Sequence, residues 1–90
     1  MPETAELIGF IAAFLTTYAF VPQAVKVWRE DETKAISLGM YSLTVAGIGM
    51  WLVYGIILDS LPLIIANTIT FCLASSILYK KIKHVREGRA

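Results

Sequence analysis

The sequence predicts an all-α integral membrane protein built as a bundle of three transmembrane helices. Three observations carry that expectation. Of the 90 residues, 57% are hydrophobic and only 17% are charged, and a soluble domain of this size is marginal even with a good core. The charges gather in three places and leave the stretches between nearly charge-free, unlike the mixed faces of a soluble amphipathic helix. Each apolar stretch is about 20 residues long, which at about 1.5 Å per residue crosses a hydrocarbon core of about 30 Å.

The first span is read at residues 7–28, the second at 37–58 and the third at 61–79. In lipid a single segment satisfies its backbone groups only as a helix. The N-terminal stretch "MPETAE" has two glutamates and no Lys or Arg. A cleaved leader wants a basic start, so the first span is expected to be retained. "REDETKAI" joins spans one and two, and Asp59-Ser60 joins two and three, with Pro62 suited to the first turn of the third helix. The tail at 80–90, "KKIKHVREGRA", is basic and is expected to fray. No linker or second composition interrupts the chain, so residues 1–90 are read as one three-helix membrane domain.

An odd number of spans places the termini on opposite sides. All eight basic residues, Lys26, Arg29, Lys34, Lys80, Lys81, Lys83, Arg86 and Arg89, fall at one end of the hairpins. The positive-inside rule then predicts the N-terminus outside and the C-terminus in the cytoplasm, in the inner membrane of a cell. A net charge of +1 gives no field for nucleic acid. Cys72 has no second cysteine to pair with. No metal cluster, Ser/His/Asp set or glycine-rich phosphate loop is present, so neither an enzyme nor a cofactor is expected. His84 is read as a lone, solvated tail histidine.

Polar residues within the spans are the informative ones. On helix two, Met40, Thr44, Gly47, Trp51, Tyr54 and Leu58 recur at spacings of three and four and share one stripe. On helix three, Ala66, Thr70 and Ala74 form a small-residue stripe of the kind that lets backbones approach in lipid. Counting from the span midpoints, Trp51 and Asn67 each lie about 4–5 Å from the bilayer centre, on the same side. An asparagine there either bonds to another helix or meets a polar solute. An indole face stacks on the C–H face of a sugar ring, and a carboxamide offers one donor and one acceptor to adjacent hydroxyls. No Asp, Glu, His, Lys or Arg lies mid-span, whereas proton relays and ion-coupled carriers usually need one. Pro22 removes a backbone donor and frees the carbonyl of Tyr18, which makes either a static bend or a hinge. Gln23 is placed to bond that carbonyl or a neighbouring helix. Trp28 fits an interfacial belt.

With "VPQ" in the first helix, "SLGMYSLTVAGIGMWLVYG" in the second and "PLIIANTIT" in the third, the chain resembles the bacterial SemiSWEET sugar transporters of the PQ-loop group. The resemblance implies a bundle in which helix three packs between one and two, and a parallel homodimer with a path between the copies. It implies a passive uniporter for mono- or disaccharides, of glucose or sucrose type, working by alternating access. Trp51, Asn67 and Gly47 would form the sugar site. Tyr54 and Asp59 would form the outer gate, Phe20 and Met40 the inner gate, and Pro22 with Gln23 the hinge. Some relatives pair an acidic residue with an arginine at the outer gate. The stretch 54–63 here has none. Two other readings are a small assembly or regulatory subunit without transport, and a PQ-loop carrier of another polar metabolite.

Overall fold

The computed structural model describes residues 2–89. Three helices account for nearly all of them: α1 over Pro2–Glu30, α2 over Leu38–Ile57 and α3 over Leu61–Arg86. All three are long and apolar enough to cross a membrane. The helices are longer than the apolar runs where polar residues continue the winding. α1 starts well before residue 7, with Glu3 in its first turn favourable to the helix dipole.

The turns are built from capping chemistry. Ser37 caps α2, its hydroxyl accepting from the Met40 amide at 3.2 Å. At the other end, Asp59 adopts φ 54°. The Ser60 amide then bonds the Gly55 carbonyl at 2.9 Å and the Asp59 amide bonds that of Ile56 at 3.1 Å. This is a Schellman motif, and it satisfies the last carbonyls of α2. Ser60 is also the residue before α3, so the chain reverses almost without a loop. Gly88, at φ 74°, closes α3 in the same way, with Arg89 N bonding His84 O at 2.8 Å.

α3 packs against both α1 and α2, and it lies between them. The Cα atoms extend over 52 × 22 × 15 Å. A group of three helices this thin has no interior large enough to enclose a polar solute. The small-residue stripe of α3 forms the contact with α1: Thr17 Oγ1 lies 3.0 Å from Thr70 Oγ1 and 3.4 Å from the Ala66 carbonyl. Ala74 is fully buried below them. Between α2 and α3, a Cβ on Gly55 would sit 2.8 Å from that of Leu63, so only glycine permits the approach next to the turn. The buried core, Ala24, Val27, Ile36, Tyr41, Ala74 and Ile77, lies wholly toward the end that carries the basic residues.

The segment after Tyr79 corrects the sequence reading. It is no frayed tail, because α3 continues to Arg86. His84 is not solvated but 2% exposed. The physical reason is that Asp31, just past α1, is turned by its φ of 50° onto the last turns of α3. There it gives the basic residues a partner that hydropathy does not register.

Candidate functional site

The stripe of α2 is an open face of the molecule. Trp51 is 55% exposed and Met40 64%, and Tyr54 and Leu58 are exposed as well. Thr44 turns its hydroxyl back to the Met40 carbonyl at 2.8 Å, which hides its polarity. Gly47 has open space where a Cβ would stand. Gly47, Met50, Trp51 and Tyr54 therefore outline a hollow of about 410 Å³ on this face. The Tyr54 ring meets the Trp51 indole edge-to-face, with centroids 5.6 Å apart at 82°, a preferred aromatic geometry that fixes the indole plane. Met50 is the member of this hollow that lies outside the polar and small-residue stripe. It lies one residue before Trp51 and shares the i, i+3, i+4, i+7 pattern of Gly47, Met50, Trp51 and Tyr54.

Asn67 does not line that hollow. It is half-buried on α3, and its Nδ2 donates to the Leu63 carbonyl at 2.9 Å within its own helix. The side-chain oxygen stays available as an acceptor. One chain thus brings Trp51, Gly47 and Tyr54 together and leaves Asn67 apart from them.

A second hollow, about 350 Å³, opens between α1 and α3 beside Phe10, Phe14, Tyr18, Pro62 and Ile69. Thr17 is its one aliphatic hydroxyl, and that group is already bonded across to α3. A wall of this kind suits hydrocarbon rather than a hydroxyl-rich solute.

At the basic end of α1, Pro22 sits inside the unbroken helix. Gln23 beside it does not turn back to Tyr18. Its Oε1 accepts a hydrogen bond from the Tyr41 hydroxyl of α2. Phe20 is partly buried against the core cluster, while Met40 projects outward. The two expected inner-gate residues therefore face different surroundings.

The same end is closed by a polar cluster around Asp31. Lys80 Nζ lies 2.5 Å and His84 Nε2 3.0 Å from Oδ1, and Arg89 Nη2 lies 2.7 Å from Oδ2. Lys80 foremost, then Arg89 and His84, hold the Asp31 carboxyl far below the usual carboxylate range. A carboxylate only accepts, so His84 Nε2–H donates to it, and Nδ1 lies 2.8 Å from the buried Thr33 hydroxyl. Lys81 donates to the Thr33 carbonyl at 3.0 Å. Trp28 joins the same end, with its indole N–H on Ser76 Oγ at 3.2 Å and Lys80 4.6 Å above its ring. Asp59, the other expected gate carboxylate, is exposed and enters no ion pair among the described residues.

Three apolar helices in the order α1–α3–α2, with Pro-Gln in the first and an aromatic notch on the second, define a small helical membrane protein of the PQ-loop class. Residues 4–64 match the family described as PQ loop repeat. The chain is 42% identical over 83 residues to the sugar transporter SemiSWEET of Bradyrhizobium diazoefficiens, covering 92% of this chain and 96% of that protein. It is 45% identical over 76 residues to the sugar transporter SemiSWEET of Leptospira biflexa, covering 84% and 89%. A crystal structure of SemiSWEET in the inward-open conformation superposes with a TM-score of 0.88 at 37% identity, covering 96% of this chain and 92% of that one. The chain belongs to the SemiSWEET family of PQ-loop proteins.

Proposed function

We propose that the chain is a sugar transporter that works as a parallel homodimer, carrying a mono- or disaccharide through the space between two copies. The observation that carries this is the open face of α2. A mid-helix tryptophan 55% exposed beside an unfilled glycine is the surface of a notched wall rather than of a flat lipid-facing one. It is good packing for a wall that awaits a second wall. Two copies related by an axis along the membrane normal would set two Trp51, two Gly47 and two Asn67 around one centre. Stacking on the indoles and hydrogen bonds to the Asn67 carboxamides suit a neutral, hydroxyl-rich ring. The relatives named above are sugar transporters, which supports the same substrate class.

Transport in this reading is passive, by alternating access, because the spans hold no mid-membrane acid, base or histidine to carry a coupled ion. Tyr54 and Asp59 narrow the outer side, Phe20 and Met40 the inner side, and Pro22 with Gln23 supply the hinge. The basic end faces the cytoplasm across the inner membrane, with the N-terminus outside.

The test is uptake of labelled glucose and sucrose into proteoliposomes without an ion gradient. Wild type is expected to take up at least one of them. Trp51→Ala and Asn67→Ala are expected to abolish uptake while the dimer survives cross-linking. No uptake of either sugar by folded wild type would move the assignment to another polar metabolite or to an assembly subunit.

A further inference from the structure

Tyr41 is the least expected residue of the core. It is 5% exposed, enclosed with Ala24, Val27, Ile36, Ala74 and Ile77. A phenylalanine would fill that space equally well. The hydroxyl nevertheless has a partner, Oε1 of Gln23. That partner is adjacent to Pro22, the proline inside α1, where the backbone ladder loses a donor. α1 and α2 otherwise meet through α3, which lies between them. The Tyr41–Gln23 bond is therefore a direct side-chain tie between the two outer helices, placed beside the weakest point of one of them.

We propose that Tyr41 is a positioning residue for transport, coupling movement of α1 at Pro22-Gln23 to α2. This rests on the transport reading above, and it adds a residue to it. The ring anchors in the core with α3, and the hydroxyl reaches the side chain next to the break. When α1 flexes at Pro22, Gln23 either pulls the start of α2 with it or lets go. Without the hydroxyl, α1 flexes alone. The aromatic hollow around Trp51 lies ten residues further along α2, so substrate binding itself is untouched by the loss.

The experiment uses Tyr41→Phe, which keeps the ring in the core and removes only the oxygen, together with Gln23→Met and the double variant. Initial uptake rates against sugar concentration are expected to show a maximal rate lower by about threefold or more, the size of one lost hydrogen bond. KM should stay within about twofold, and the double variant should fall no further than either single one. Hydrogen exchange in proteoliposomes gives a readout independent of transport. The α1 peptide around residues 18–26 should exchange faster in Tyr41→Phe while the α3 peptides stay as in wild type. A wild-type maximal rate in Tyr41→Phe overturns the proposal, as does a loss of rate that merely follows a lower melting temperature. If wild type moves no sugar, the transport reading falls, and an unchanged exchange pattern in α1 then removes the coupling too.

Discussion

The two reversals of the chain each hold an aspartate in the left-handed region, Asp31 at φ 50° and Asp59 at φ 54°. They use the carboxylate in opposite ways. Asp31 gathers Lys80, His84 and Arg89 and welds the end of α1 to the end of α3. Asp59 is exposed, and its turn is held by backbone bonds alone. The packing follows the same division. The whole hydrophobic core lies in the half nearer Asp31, while Ile57, Leu58 and Leu61 around Asp59 are exposed. One end of the chain is complete in itself. The other is complete only as a backbone hairpin, with its side chains left for lipid or a second copy.

Substitutions at the two ends should therefore differ in size. The largest effect is expected for Ile77→Ala, where a fully buried side chain of the packed half is cut away. A loss of about 2–5 kcal/mol is expected in thermal unfolding in detergent. Gly55→Ala is the strongest probe of the other half. Its new Cβ would meet that of Leu63 at 2.8 Å, and forcing α2 and α3 apart should cost about 1–3 kcal/mol. A neutral result there would mean that the open half yields freely, which would sharpen the contrast.

Asp31→Asn comes next. Asparagine tolerates the left-handed backbone, so the change removes charge and leaves the turn. The melting temperature should fall, and amides after Lys80 should exchange faster. Because the folded carboxyl is held below its ordinary value of 3.8, its contribution is fully present above that value. It is lost only as pH falls through the lowered one. The gap between wild type and Asp31→Asn should thus close only as the pH falls below that ordinary value into stronger acid. Asp59→Asn is the matched control and should change stability by no more than about 0.5 kcal/mol. Equal losses at the two aspartates would break the comparison.

Much of the fold was legible because hydropathy and length alone fix where a membrane helix can lie. The stripe of Ala66, Thr70 and Ala74 was legible too, but that α1 is the helix it meets, through Thr17, was not. What escaped was tertiary. His84 looked solvated because its partners, Asp31 and Thr33, lie 53 and 51 residues away. A stop signal did exist in Gly88, the first glycine after the third span and a natural C′ residue. It argued for winding α3 through the basic stretch. Tyr41 escaped for a related reason, because it lies about a quarter turn around the helix from the stripe at 40, 44 and 47. The Trp51–Asn67 pairing is a different matter. Counting residues predicts equal depth, but the proposed meeting across a path needs a second chain, and no single-chain geometry supplies it.

The turn at Asp59 has a bearing on how the protein reaches the membrane. With Leu58, Asp59 and Ser60 alone between α2 and α3, the two helices form a hairpin that can partition into a bilayer as one unit. In the proposed orientation its tip must cross, and it carries a single formal charge. A charged residue costs about 2.5–3.5 kcal/mol at mid-bilayer on an insertion scale, so one aspartate is a small toll against two apolar helices. The opposite end would have to drag the seven basic residues from Arg29 to Arg89 through the same barrier. In that proposed orientation, the asymmetry that organises the folded chain also favours the direction of insertion.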